Sequence, residues 1–312
     1  MCQFKSGIIF KDRVVVAPGG NESHSDLLES LGVEDDCFAW AKKFVRAELV
    51  PKSEEWWISP EEHPEKWTFI VDQDIVPDWF DREEVEVRFR SAVCEWWKAH
   101  VLVNQNIETL SDGFYRIKGC EVGRLTGNVK VGILMNSQVH MVDEKATIEF
   151  VLDSRIVTMT DRSYIYKVNN SKVGTMKEKA IIEIMKNSNV DKMENISLIE
   201  FIAGKSNVEI MKMHSKVISV EDVTNIHIME NGSCVENLIG MSNIEIMKGR
   251  SWVTYMSGGS SVGTMKHFSS IGTMKGVGTI SAMKDHSIAR DCRGNSIKIL
   301  TPENFELIVH KE

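Results

Sequence analysis

No stretch of the 312 residues stays apolar for the roughly 20 positions that a membrane-crossing helix needs. Residues 2–20 carry charges and no long apolar run, so no secretory leader is expected. Six cysteines, at 2, 37, 94, 120, 234 and 292, show no paired spacing and no Cys-x-x-Cys. That excludes a disulfide framework and the common zinc spacings, and reduced thiols in a cytoplasmic protein follow. A phosphate-cradling Gly loop and a dinucleotide fingerprint are both missing, so no cofactor is expected. The formal net charge is −8, and the acidity, which lies in residues 1–111, argues against nonspecific binding of that part to nucleic acid or to an anionic membrane.

What is present is a short repeat. From about residue 112 to residue 300 the unit Ser-x-Val/Ile-x-x-Met recurs every eight or nine residues. Clean copies are Ser206-Asn-Val208-Glu-Ile-Met211 and Ser242-Asn-Ile244-Glu-Ile-Met247. A unit this short holds neither a helix pair nor a propeller blade, but it fits one strand of a β-solenoid. Val and Ile suit a pleated, buried surface, and unbranched Met fills the irregular corners of a core. The fifteen methionines between Met135 and Met283 therefore read as core, not as a metal-binding surface.

Outward positions resemble one another at a spacing of eighteen, as in Asn207, Asn225 and Asn243. That spacing implies two units per coil and two sheet faces. About ten coils stacked roughly 4.8 Å apart would make a rod of about 50 Å, with Asn side chains hydrogen-bonded up the ladder. The lysines that follow several repeat methionines interleave with Glu200, Glu209, Glu236 and Glu245, which reads as a solvated mixed face.

Residues 1–111 differ in kind. They hold seven of the eight tryptophans and, with 12 basic and 22 acidic residues, a net charge of −10. The other 201 residues carry 25 basic and 23 acidic, net +2, so a rod mimicking nucleic acid is disfavoured. The N-terminal segment reads as a small α+β domain. It starts with a hairpin around Lys11-Asp12. A short helix capped by Ser23 or Ser25 follows and stops at Gly32. Strands are predicted over 44–50 and 67–71, and an amphipathic helix over 81–100. That last helix is expected to place Trp96 or Trp97 near Phe114 and to cap the repeat array, with 301–312 as a C-terminal cap. The fold class is thus mainly β: a parallel β-solenoid of nonapeptide-type repeats behind an α+β domain.

Chemistry is sparse. If Met1 is removed, Cys2 becomes N-terminal, and its own amino group can serve as base for its thiol, as in N-terminal-nucleophile amidotransferases. His24, in Ser23-His24-Ser25-Asp26, is a second candidate, as a base. Asp72, Asp74 and Asp78 lack the oxygen-ligand loop of a calcium site, and no metal is expected there. On the solenoid, Ile210, Ile228 and Ile246 recur one coil apart. Strict alternation turns them inward, yet each precedes a Met that also favours the core. If Met wins, the isoleucines form an exposed strip beside Glu209, His227 and Glu245, a candidate surface for a protein partner or a second copy. If not, Ile and Met share a wide core.

Four stretches carry a resemblance: Met1-Cys-Gln-Phe-Lys-Ser-Gly-Ile-Ile, Ala17-Pro-Gly-Gly-Asn-Glu-Ser-His-Ser-Asp-Leu-Leu, Lys43-Phe-Val-Arg-Ala-Glu-Leu-Val-Pro and Phe69-Ile-Val-Asp-Gln-Asp-Ile-Val-Pro-Asp-Trp. With the repeats behind them, they are similar to uncharacterised proteins of gut bacteria and their phages, in which such a domain precedes Asn-Ser-x-Val-x-x-Met arrays. The resemblance implies a phage or prophage origin and a bacterial cytoplasm, and brings no catalytic residue with it. In this chain the Asn before the repeat Ser is mostly lost. Two functions remain in view: a rigid binding or structural protein, and an enzyme with residues 1–111 as its catalytic unit and the solenoid as a targeting or oligomerisation arm.

Overall fold

The computed structural model describes residues 4–20, 22–33 and 43–293, and the backbone of 298–302 and 306–309. It separates into two compact units: Met1–Val103 with Gly113–Arg116, and Asn104–Asp112 with Ile117–Glu312.

The first unit is built on a four-stranded antiparallel sheet in the order β2-β1-β3-β4. β1 is Lys5–Phe10, β2 Val14–Val16, β3 Phe44–Pro51 and β4 Trp67–Val71. The predicted hairpin closes where Phe10 N–H donates to Arg13 O at 2.8 Å. Helix α1, His24–Ser30, starts at Ser23, whose hydroxyl accepts from Asp26 N–H, and stops before Gly32 at φ +65°. Helix α2, Arg82–His100, is capped by Asp81, whose carboxylate accepts from the N–H groups of Glu83 and Glu84.

The two helices cover opposite faces of the sheet. α1 packs Leu27 and Leu28 on Ile8 and Phe44. α2 buries Val85, Phe89, Val93 and Trp96, with Phe89 and Phe69 ring centroids 5.7 Å apart. Gly7 permits this packing: a Cβ there would lie 2.7 Å from the Phe89 ring. Trp96 reaches Phe114 at a centroid distance of 6.4 Å, as the sequence suggested, and Phe114 belongs to this same unit.

The second unit is a parallel β-solenoid of about 11 turns. Alternate strands go to opposite sheets, so one coil contains two repeat units. One sheet has twelve strands, from Asn106–Leu110 to Lys298–Pro302. The opposite one receives the intervening strands, and its last is Glu306–Val309. Every repeat Val/Ile from Val122 to Ile280, and every apolar residue three places beyond, from Ile117 to Met283, is fully buried. Eleven of the fifteen repeat-region methionines share that core. Met141, Met213 and Met241 lie off the repeat register and are exposed.

Two inward residues three apart break the alternation of an ideal strand. Asn207, Val208, Ile210 and Met211 pair with Asn225, Ile226, Ile228 and Met229. Glu209 and Ile210 are two adjacent outward positions between the buried Val208 and Met211, and the strand pairing keeps one offset of 18 throughout.

Coil length also varies: 17 residues in the earlier repeats (Val139↔Ile156) and 18 in the later ones (Val208↔Ile226), with 15 in the first coil (Ile107↔Val122) and 19 near the C-terminal end (Ile280↔Ile299). The shorter coils turn through one left-handed residue directly before the repeat Ser, namely Asn136, Asp153, Asn170 or Asn187. Asn and Asp tolerate that conformation better than most side chains. The surviving Asn-Ser pairs are therefore needed where the turn is tightest.

The repeat serines have a polar task. Each of Ser137, Ser154, Ser171 and Ser188 accepts, through Oγ, the N–H of its counterpart one coil back, all four at 3.0–3.1 Å, with Cys120 as the first donor. Each donates its own proton to a carbonyl two residues earlier, at 2.7 Å. Stacked asparagines appear in part: Asn243 donates to Asn225 at 3.0 Å and Ser261 to Asn243 at 2.8 Å. Asn207 turns instead to the Glu209 carboxylate, a charged and stronger acceptor.

One turn is strained. Met213 (φ 51°) and His214 (φ 65°) are both left-handed, whereas the next coil places Asn231 and Gly232 there. A side chain in this region costs roughly 1–2 kcal/mol, offset in part by the chain entropy of glycine. His214→Gly should therefore stabilise the protein by ~1 kcal/mol, read as a rise of about 2–4 °C in melting temperature. A lower melting temperature would show that the ring's contacts outweigh the strain.

Candidate functional site

The outer face of the twelve-stranded sheet decides the question the sequence left open. Met211, Met229 and Met247 are fully buried, and Ile210, Ile228 and Ile246 stand half-exposed outside them. The three isoleucines are in register on consecutive coils. Beside them Glu209, His227 and Glu245 form a second row. His227 Nδ1 lies 2.8 Å from Glu245 Oε1, and its Nε2 3.7 Å from Glu209 Oε1. The candidate residues thus form one patch: an apolar column flanked by an imidazole held between two carboxylates. The lysines of the neighbouring edge are engaged, since Lys212 and Lys248 both reach Glu230, at 2.7 and 2.8 Å.

The opposite outer face carries a feature that the sequence reading missed. Tyr164, Ile181 and Leu198 pair along one column, and Ile184 and Phe201 along the next, all half-buried. The signal was present as apolar residues repeating at a spacing of 17, but it was hidden in positions not tracked by the repeat.

In the first unit, Cys2 lies outside the described residues. The described cysteines are poor nucleophiles. Burial pushes the Cys94, Cys120 and Cys292 thiols up, and takes Cys234 to about 11.

His24 is no surface residue. It is 6% exposed, and its Nε2 lies 3.1 Å from Ala47 O. Its Nδ1 is 3.2 Å from Asp72 Oδ2. Glu48, on β3, is 7% exposed, and its carboxylate joins the other two, with ligand atoms of all three within 4.8 Å of one another. Antiparallel pairing explains the convergence. Ser6, Glu48 and Ile70 are cross-strand partners, and Ala47 pairs with Val71, which puts Asp72 beside Arg46 on the face that α1 covers. Asp72 N–H donates to Arg46 O at 3.0 Å, and the next residue, Gln73, is tied to Arg46 N–H, Phe44 O and Ile75 O. Asp74 and Asp78 do not join the cluster.

Among the described residues, no helix is long and apolar enough to cross a membrane. Compared with known proteins, the chain matches no family model, no curated protein and no solved structure.

Proposed function

We propose that the protein is a structural or binding protein whose solenoid is a rigid display surface, and that it self-associates through the Ile210–Ile228–Ile246 column. The observation that carries this reading is the outward column itself. Three β-branched residues stand in register on a face whose core positions are already filled by Met. A two-fold axis through Ile228 would pair Ile210 of one copy with Ile246 of the other. It would also set Glu209, His227 and Glu245 at the polar rim that such interfaces carry. A phage or prophage origin and a bacterial cytoplasm belong to the same proposal and rest on the N-terminal motifs alone.

Light scattering of the full chain should give twice the 35.3 kDa protomer mass. The triple variant Ile210→Thr/Ile228→Thr/Ile246→Thr should dissociate at least about tenfold more readily, a change of about 1.4 kcal/mol. A monomeric wild type, or a dimer indifferent to the three changes, would refute the proposal. A dimer disrupted instead by Ile184→Thr/Phe201→Ser would move the interface to the opposite face.

A further inference from the structure

We propose that His24, Glu48 and Asp72 form a binding site for one divalent transition-metal ion of the zinc or manganese class. The argument starts from the protons. Ala47 O can only accept, so His24 Nε2 must donate to it at 3.1 Å. In a neutral ring Nδ1 then carries a lone pair, and that lone pair faces a carboxylate oxygen of Asp72 at 3.2 Å. A cation held between these two acceptors would satisfy both.

The spacing suits a shared metal ion. Ligand bonds of about 2.0–2.2 Å place neighbouring donors of a tetrahedral site about 3.3 Å apart. The third donor is already within 4.8 Å.

Glu48 supplies the independent observation. The residue is 7% exposed, and its carboxylate points into the cluster. A buried carboxylate in that position needs a partner. Across the strand pair, the buried Ser6 Oγ lacks one among the described residues.

The ligand set names the ion. One imidazole and two carboxylates are hard-to-borderline donors, which suit zinc, manganese or ferrous iron and have no thiolate to select copper(I). Two carboxylates balance a 2+ charge. The hydrogen bond from His24 to Ala47 O fixes the ring tautomer, as the outer partners of metal-bound histidines do. β3 thus provides a ligand in Glu48 and the orienting carbonyl in the preceding residue. Asp72, 57% exposed, gives the ion its way in. Three protein donors leave at least one coordination position open for water or a ligand oxygen.

The test uses the full chain with Mn²⁺, followed by electron paramagnetic resonance, and with Zn²⁺ followed calorimetrically. Mn²⁺ avoids the cysteines. One ion per chain should bind, and saturation should raise the melting temperature. Asp72→Asn, at the exposed ligand, should keep the fold and weaken binding at least about tenfold, as should Glu48→Gln. If Glu48→Gln fails to fold, Asp72→Asn alone decides. Absence of a 1:1 ion in the wild type would overturn the site. Binding unchanged in Asp72→Asn would overturn it equally and place the ion elsewhere.

Discussion

Met247→Asp should unfold the coils around it, while Met241→Asp should change little. The two methionines are six residues apart in one repeat, yet Met247 is fully buried and Met241 is 73% exposed. Met247 stands in a column between Met229 and Met265, with apolar neighbours above and below. A carboxylate there has no cation to meet, and burying it costs several kcal/mol, so the group is hydrated only if strands part. Because each coil touches only its neighbours, the damage should be local first. Hydrogen exchange should show lost protection in Asn225–Met229, Asn243–Met247 and Ser261–Met265 before it spreads. Met241→Asp should stay within about 0.5 kcal/mol of wild type by denaturant unfolding. Equal stability of the two variants would contradict the inward assignment of the repeat Met.

Lys5→Met should destabilise the first unit by about 3–5 kcal/mol, and adding Glu22→Gln should restore most of the loss. Lys5 has no exposed side-chain surface. Its Nζ lies 2.8 Å from Glu22 Oε1, 3.2 Å from Gly19 O and 3.7 Å from the centre of a Trp96 ring. The other Glu22 oxygen accepts Ser6 N–H at 2.9 Å. Removing the ammonium strands a buried carboxylate; glutamine removes that charge and keeps an acceptor for Ser6.

Burial is the dominant influence on both partners, taking Lys5 down to about 8 and pushing the Glu22 carboxyl up, against their mutual attraction. The pH dependence follows. Between about 8 and the ordinary lysine value of 10.5, the unfolded chain holds the Lys5 proton and the folded chain does not, so this residue's contribution to stability grows as pH rises. Glu22 acts oppositely in acid: its contribution is present below the ordinary value of 4.5 and is lost as pH rises through the higher folded value. Urea unfolding from pH 7.5 to 10 should show the Lys5 rise in wild type and not in Lys5→Met/Glu22→Gln. Parallel profiles would mean that Lys5 titrates normally.

The sequence by itself determined the solenoid, its two units per coil and the residues that fill it. A repeat is local information: Val208 and Met211 recur at one spacing, and one coil can bury them only against the next. It equally determined the helix starts of the first unit, because Ser23 and Asp81 act on their immediate neighbours. Tertiary structure alone decided which of Ile210 and Met211 turns inward, since strand alternation and repeat spacing conflict there and only the packing of successive coils resolves them. It decided that Asn207 leaves the asparagine stack, because a carboxylate comes within reach. It also decided that His24, Glu48 and Asp72 meet. Each is 24 residues from the next, in a segment with no metal-binding spacing. Only the placement of β3 between β1 and β4, with α1 laid across that face, brings an imidazole and two carboxylates to one point.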